Sequence, residues 1–419
     1  MVSQWAGRFG GRDFVRLWAA TTASSFGTTL TTVALPLVAL VTLHASTFAV
    51  GLISAAELLS WLVLGLSAGV WVDRLARRPL MVACDLLRAV ALVSVPVAVA
   101  TGMVSVPQLV LVALVLGVAS VFFDIAGQTY LPLVVEADGL LAGNSRLQAG
   151  QSAAQTGGPA VGGALAQLIG APLTLLVDVA SYLFSALFLS TLRTREEPSE
   201  VTDRARMLPQ IREGLRHVLA DPVIRPLMLV AAGLNMVGTA YETLLVPFLL
   251  RTVEVRPALI GVLLAVGGVG GVLGGVLGPR VAARLGGART MVLTACVCPL
   301  ISMLAPLSTA GAGLVLLGAG LVGREVCITV FSLLARSYRQ ATVSRVLLAR
   351  VTASIRFISW GVLPIGALLG GSLGELAGNR AALWAVCGLL LLTPLPLLFS
   401  DLRGRRDLPE APVRESQPA

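Results

Sequence analysis

Long apolar runs, each bounded by Arg, Gly, Pro or a polar cluster, recur along almost the whole chain. They fall near residues 15–42, 48–70, 79–101, 106–130, 145–169 and 172–192, and again near 226–250, 258–280, 290–308, 311–335, 345–375 and 380–400. A helix needs about 20 apolar residues to cross the hydrocarbon core of a bilayer, whereas a helix in water needs only one apolar face. The pattern predicts an all-α integral membrane protein with about twelve transmembrane helices in two pseudo-symmetric six-helix bundles. The N-terminal bundle is expected over 1–192 and the C-terminal bundle over 226–402. Residues 193–225 read as a charged linker whose stretch from Leu208 to Leu219 is amphipathic and suited to a membrane surface, and residues 403–419 as a disordered tail.

Composition agrees: 56% of residues are hydrophobic and 13% charged, against about 25% charged in soluble domains. The net charge of +9 is not a nucleic-acid signature, because the basic residues are not gathered on one solvated face. All 31 are Arg, and 25 of them fall in the connections that lie on one side if the N-terminus is inside, against three on the other side. The positive-inside rule then places both termini in the cytoplasm. The first apolar run is too long and too rich in Thr and Ser for a cleavable signal and is expected to stay as the first span. The five cysteines lie inside apolar runs without metal-ligand spacing and read as packing residues, so no metal site is expected.

An internal repeat accompanies the six-plus-six pattern. Gly69-Val-Trp-Val-Asp73-Arg74-Leu-Ala-Arg77-Arg78 closes the second span, and Ala283-Arg284-Leu-Gly-Gly-Ala-Arg289 follows the eighth at an offset of 210. Pro159 with its neighbouring glycines in span five has a counterpart in Pro364-Ile-Gly366-Ala-Leu-Leu-Gly370-Gly371 in span eleven. Two like bundles around a pathway are a transporter architecture.

The loop after span two carries a resemblance. GVWVDRLARR is similar to the signature of the major facilitator superfamily, at the place where that signature belongs, and the resemblance extends from about Asp13 to Leu402. It implies a cytoplasmic gate built from Gly69, Asp73, Arg74, Arg77 and Arg78. Gly157-Gly158-Pro159-Ala-Val-Gly162-Gly163 resembles the GPxxGG element of proton-coupled exporters of that superfamily. Pro159 removes a helix hydrogen bond, and Gly158, Gly162 and Gly163 give a side-chain-free face. The glycines of span eight, Gly267, Gly271 and Gly275 with Gly270, Gly274 and Gly278, are its expected partner. Span four lacks the Arg of the best-known multidrug branches. The run FFDIAGQTYLP, with Asn144 and DVASYLFSA, looks closer to the branch of macrolide-efflux proteins and siderophore exporters.

Ionisable side chains inside spans are costly and mark function. Asp85, Arg88 and Asp124 are expected to form a self-neutralising cluster. Arg356 of span eleven is placed with that group of intramembrane charges and is a partner for Asp73. Glu242, Glu325 and Asp178 are the candidate proton carriers, because a carboxylate held away from water can take up and release a proton. Asn235, Tyr241 and Arg324 complete the candidate substrate site. Arg324 and Glu325 point about 100° apart and are not expected to face the same point, so that a Glu242–Arg324 pair is one alternative. The Thr and Ser residues of span one either line a cavity or bond back to their own helix.

Only two His occur, no Lys, and no phosphate-binding loop, so neither an enzyme nor an ATP-driven pump is expected. The reading is proton-coupled efflux of a small amphipathic organic molecule, such as a drug, a macrolide-like compound or a siderophore. It works as a monomer in the plasma membrane, with no cofactor beyond the proton gradient. Proton-coupled nutrient uptake is the alternative, and a membrane receptor a more distant one.

Overall fold

A computed structural model describes residues 11–65, 68–72, 74–135, 139–194, 215–343 and 345–408. The described chain is helical throughout. The first six long helices are α1 (Arg12–Leu37), α2 (Thr47–Leu64), α3 (Arg77–Ala100), α4 (Val106–Val134), α5 (Leu140–Ile169) and α6 (Ala171–Ser190). The next four are α7 (Ile224–Pro247), α8 (Pro257–Leu285), α9 (Gly287–Ser302) and α10 (Gly313–Thr342). Helix α11 is broken at Val362 into Arg345–Gly361 and Leu363–Ala377, and α12 covers Asn379–Leu390.

Eleven stretches among the described residues are long and apolar enough to cross a membrane. The expected span missing from them is α5. Its 30 residues reach about 45 Å at the helical rise, ample for a crossing, but Gln148, Gln151, Gln155 and Gln167 dilute its hydropathy. The outward faces of the other helices carry exposed Leu, Val and Phe, as hydrocarbon requires.

The chain clusters into two compact units. One runs to Thr202 and includes Leu245–Ala265; the other comprises Asp203–Leu244 and the chain from Val266. In the first, α1 packs on α5 and α6, α3 on α4 and α6, and α2 on α4. In the second, α9 packs on α10, and glycines of α11 meet Met236, Thr239 and Ala240 of α7.

The repeat is visible in backbone detail. Helix α1 ends in a π-helical turn, Val38–Thr42, and α7 in another, Phe248–Thr252, again 210 residues apart. Each is followed by a non-glycine residue in the left-handed region, His44 (φ 50°) and Glu254 (φ 59°), a conformation that costs energy and persists only where surroundings impose it. The chain then reverses into α2 and α8, which begin at Thr47 and Pro257, once more at that spacing.

Small residues set the helix contacts in both units. A Cβ on Gly162 of α5 would lie 3.2 Å from the Cα of Leu30 on α1, and one on Gly370 of α11 2.9 Å from the Cα of Ala240 on α7. The two Pro-Gly elements therefore do equivalent work, seating α5 on α1 and α11 on α7. Gly163 meets α8 at Gly261, where a Cβ would come within 2.8 Å of the Cα. The span-eight stripe differs from expectation. Gly270, Gly274 and Gly278 pack on Val322, Val326, Thr329 and Val330 of α10, and Gly275 faces open space.

Asp73 and most of the linker, including Leu208 to Gly214, lie outside the described residues, and so does the expected Asp73–Arg356 contact.

Candidate functional site

Among the described residues, two buried arginines organise the deep charge, one in each unit. In the second unit Arg324 of α10 is 4% exposed. Its Nη2 donates to Glu242 Oε1 of α7 at 3.1 Å and its Nη1 to Glu325 Oε1 at 2.6 Å. The guanidinium lies over the Tyr241 ring, 4.9 Å from the centroid, a cation–π arrangement. Gly238 makes the room: a Cβ there would be 3.0 Å from Nη2.

The Arg324–Glu325 contact corrects the sequence expectation. The Cα–Cβ bonds of neighbours do diverge by about 100°, but the long Arg stem bends back far enough to bring its head to the adjacent carboxylate. One cation faces two carboxylates here, leaving a net negative charge. The side chain of Glu242 is 62% exposed and that of Glu325 32%, so the group is most open at Glu242. Arg324 itself is enclosed between acids and ring and does not present a free cation to an anion. Asn235, by contrast, ties α7 to α11 by donating to the Ser359 carbonyl at 2.8 Å.

In the first unit Arg88 of α3 is 2% exposed. It donates from Nη1 to Asp85 Oδ1 at 3.4 Å and to Ser24 Oγ at 3.2 Å, and from Nη2 to the Ala119 carbonyl at 3.0 Å. Phe123 and Tyr182 offer their rings at 4.5 and 5.3 Å. Asp124 makes no direct ion pair with Arg88 among the described residues, although the charge of Arg88 still acts on it. It is exposed, as is Gln128 one turn on, because Phe123, its neighbour, takes the inward position against Arg88. Arg356 belongs to the second unit, where it is exposed and stacks on Trp360 at 5.4 Å.

Asp178 of α6 is fully buried. Thr31 Oγ1 of α1 donates to its Oδ2, and Ser181 Oγ to its Oδ1 at 3.0 Å. The remaining hydroxyls of α1 mostly bond back to their own helix: Thr21 to Leu17, Thr28 to Ser24, and Thr29 to Phe26 and across to Ala154 of α5. Back-bonding thus describes these residues, whereas Ser24 and Thr31 reach across to Asp85 and Asp178.

Of the gate-loop residues, Arg78 caps the C-terminus of α6, donating from Nε to the Leu189 carbonyl at 3.1 Å and from Nη2 to that of Ser190. Arg16 adds a bond to the Thr191 carbonyl at 2.8 Å. Asp13 accepts from Arg193 N, Thr194 N and Thr194 Oγ1 at 2.9, 3.0 and 2.8 Å. The Arg78 and Arg16 bonds satisfy orphan carbonyls at a helix end, while Asp13 holds the amides that follow it. Gly69 lies in the short helix Ala68–Val72, and Arg74 follows it, exposed. Beside them an open cleft of about 790 Å³ is lined by Arg78, Val82, Leu86, Ser190 and Arg193. Its lining includes no carboxylate.

Two features escaped the sequence reading. Glu57 sits within α2, half-buried, hidden in an Ala-Ala-Glu-Leu-Leu run. On α5, Asn144, Gln148, Gln151 and Gln155 are all exposed and recur at four, three and four residues, which places them on one helix face. An unsatisfied polar group in hydrocarbon costs several kcal/mol, so this face of α5 meets water. The spacing of the amides was the available signal.

Comparison with known proteins relates the chain to transporters. The model of the family described as transmembrane secretion effector matches residues 2–416. A multidrug efflux pump, Tap, of Mycolicibacterium fortuitum is 31% identical over 417 residues, covering 94% of this chain and 97% of that protein. The Tap pump of Mycobacterium tuberculosis (strain ATCC 25618 / H37Rv) is 27% identical over 387 residues, covering 87% and 89%. Among solved structures, a bacterial homologue of the iron transporter ferroportin in an inward-facing state superposes with a TM-score of 0.76 at 19% identity, covering 94% of this chain and 99% of that one. The nucleoside transporter NupG superposes with a TM-score of 0.73 at 12% identity, covering 94% and 100%. The structural likenesses are to the fold.

Proposed function

The chain belongs to the transmembrane secretion effector family of major facilitator transporters, and we propose that it exports amphipathic organic molecules, cationic or neutral, in exchange for protons. It is a transporter and not an enzyme. The observation that carries the substrate class is the Arg324–Glu242–Glu325 group, whose unbalanced negative charge is open at Glu242. An exposed carboxylate beside a buried aromatic ring matches a molecule with a protonated amine and an apolar body. An anionic substrate meets two carboxylates there, with both terminal nitrogens of Arg324 already donating to them. The wet amide face of α5 supplies uncharged hydrogen-bonding groups for the polar parts of the same molecules.

Export as the direction draws on the two Tap pumps, whose named activity is multidrug efflux, and on the GPxxGG element in α5. The Arg bias of the connections supports a cytoplasmic location for both termini, and the same reading has the chain act as a monomer in the plasma membrane. No nucleotide site is involved; the proton gradient drives exchange through alternating access.

The test is transport in inverted membrane vesicles energised to an acidic interior, offered lipophilic cations, macrolides and siderophores. Uptake of lipophilic cations that collapses on dissipating the proton gradient is the expected result, and Glu242→Gln lowers it about tenfold or more while sparing neutral substrates. Accumulation of a nutrient in right-side-out vesicles, with no drug movement in inverted ones, overturns the reading in favour of uptake.

A further inference from the structure

Among the described residues, the first unit contains two fully enclosed carboxylates and one enclosed arginine. Arg88 makes its ion pair with Asp85, and Asp178 makes none among the described residues. A second negative charge inside a bundle without its own cation is expensive, yet Asp178 is not left in a purely apolar surround. Its oxygens are held by Thr31 and Ser181, and hydroxyls serve a carboxylate as donors and a carboxylic acid as acceptors. Ser181 Oγ already has a second partner, the Asp178 carbonyl at 2.8 Å, so it can release the carboxyl group without being orphaned.

The neighbouring residue transmits the state of this site. Tyr182 is buried, shares a hydrogen bond with Thr28 Oγ1 of α1 at 3.0 Å, and turns its ring to Arg88. Around Asp178, therefore, α1 contributes only hydroxyls, α3 contributes Asp85 and Arg88, and α6 contributes Tyr182. Helix α5, which also packs on α6, carries only Arg146 as an ionisable group, beside Phe14. Gly27 closes the site: a Cβ at that position would collide with Asp178 Oδ1 and Ser181 Oγ. The backbone of α1 lies directly on the carboxylate and leaves no space for a hydrated cation.

We propose that Asp178 is the proton-binding residue of the transport cycle, with Thr31 and Ser181 as its hydroxyl partners and Tyr182 and Arg88 as the groups that register its charge. Loading the proton neutralises the unpaired charge, and losing it draws Arg88 and the hydroxyls of α1 toward α6. Alternation between the two states thus becomes a change in how α1 sits on α6. The inference rests on the exchange reading above and identifies which carboxylate serves it.

The experiment uses the full chain in proteoliposomes with a pH dye inside and tetraphenylphosphonium as the substrate probe, comparing the parent with Asp178→Asn, Gly27→Ala and Thr31→Val. In the parent, addition of the cation moves protons. In Asp178→Asn proton movement and uphill transport fall at least tenfold, cation binding persists, and its affinity no longer changes with pH. Thr31→Val keeps coupling but moves the pH midpoint of cation binding by about one unit, the size of one hydrogen bond to a charged group. Gly27→Ala uncouples without altering any charge. If Asp178→Asn does not fold, the Thr31→Val midpoint decides, and an unmoved midpoint overturns the proposal. Proton movement equal to the parent in Asp178→Asn, or transport driven by a sodium gradient at equal pH, also overturns it. If the parent itself moves no proton with any substrate, the exchange reading is what fails.

Discussion

Replacing Arg324 by Met removes the one cation that holds two carboxylates at 3.1 and 2.6 Å. Removing one partner of a fully buried ion pair costs about 3–5 kcal/mol, because a charge is left buried and unmatched. Here only part of that applies. Glu242 is 62% exposed, so its share is screened to about 1 kcal/mol or less, and Glu325, at 32%, bears most of the loss. The expected destabilisation is about 2–3 kcal/mol, which for a unit of this size lowers the melting temperature by roughly 4–12 °C. Thermal unfolding of the purified protein in detergent measures it. Because the penalty lies in the abandoned acids, adding Glu325→Gln to Arg324→Met restores about half of the loss, and adding Glu242→Gln restores little. A melting temperature unchanged in Arg324→Met, or rescue by Glu242→Gln and not Glu325→Gln, refutes the reasoning.

Gly270→Ala places a methyl 2.9 Å from the Val322 Cα and 3.0 Å from the Glu325 Cβ; it costs about 1–3 kcal/mol of stability and reduces transport, whereas Gly275→Ala, facing open space, is neutral or slightly stabilising by the same thermal assay. Gln151→Leu with Gln155→Leu leaves the melting temperature within about 0.5 kcal/mol of the parent but changes the ranking of substrates in a resistance panel, most for those with many hydroxyl or amide groups. Asp13→Asn weakens three hydrogen bonds to the chain after α6 and costs about 1–2 kcal/mol, seen as faster proteolysis after Thr194.

The helices were readable from the chain because hydrocarbon imposes one simple demand, and each apolar run overlaps an observed helix, although ends differ by up to ten residues, as at Leu390 against 400. The same simplicity hid α5's second role, since glutamines count against a span and say nothing of the face they share until that face is drawn. Arg324 and Glu325 were found as deep charges, but their mutual contact depends on the bend of one long side chain, which spacing does not encode. Asp124 misled for a related reason: matched depth with Arg88 is necessary for a pair, and the rotation that turns Phe123 inward turns Asp124 outward. The π turns and the positive φ at His44 and Glu254 leave no composition signal, although their 210-residue spacing was present in the loop repeat.

The repeat makes the asymmetry of charge informative. Backbone features recur at 210 residues, yet the position so related to Arg88 is Cys298, and the buried cation of the second unit comes instead from α10. Each unit keeps one arginine between aromatic ring and acid, but the first encloses its spare carboxylate at Asp178 while the second exposes its own at Glu242. An enclosed carboxylate with hydroxyl partners suits a proton, and an open one suits a larger cation. The two share no helix and no hydrogen-bond partner, so the stability effects of Asp178→Asn and Glu242→Gln should add to within about 0.5 kcal/mol. Transport should not add. Once either exchange partner is lost, uphill movement has already stopped, and the double variant is no slower than the worse single one. A further tenfold loss of uphill transport in the double variant would mean that both carboxylates serve the same step, and the division of labour between the two units would then be wrong.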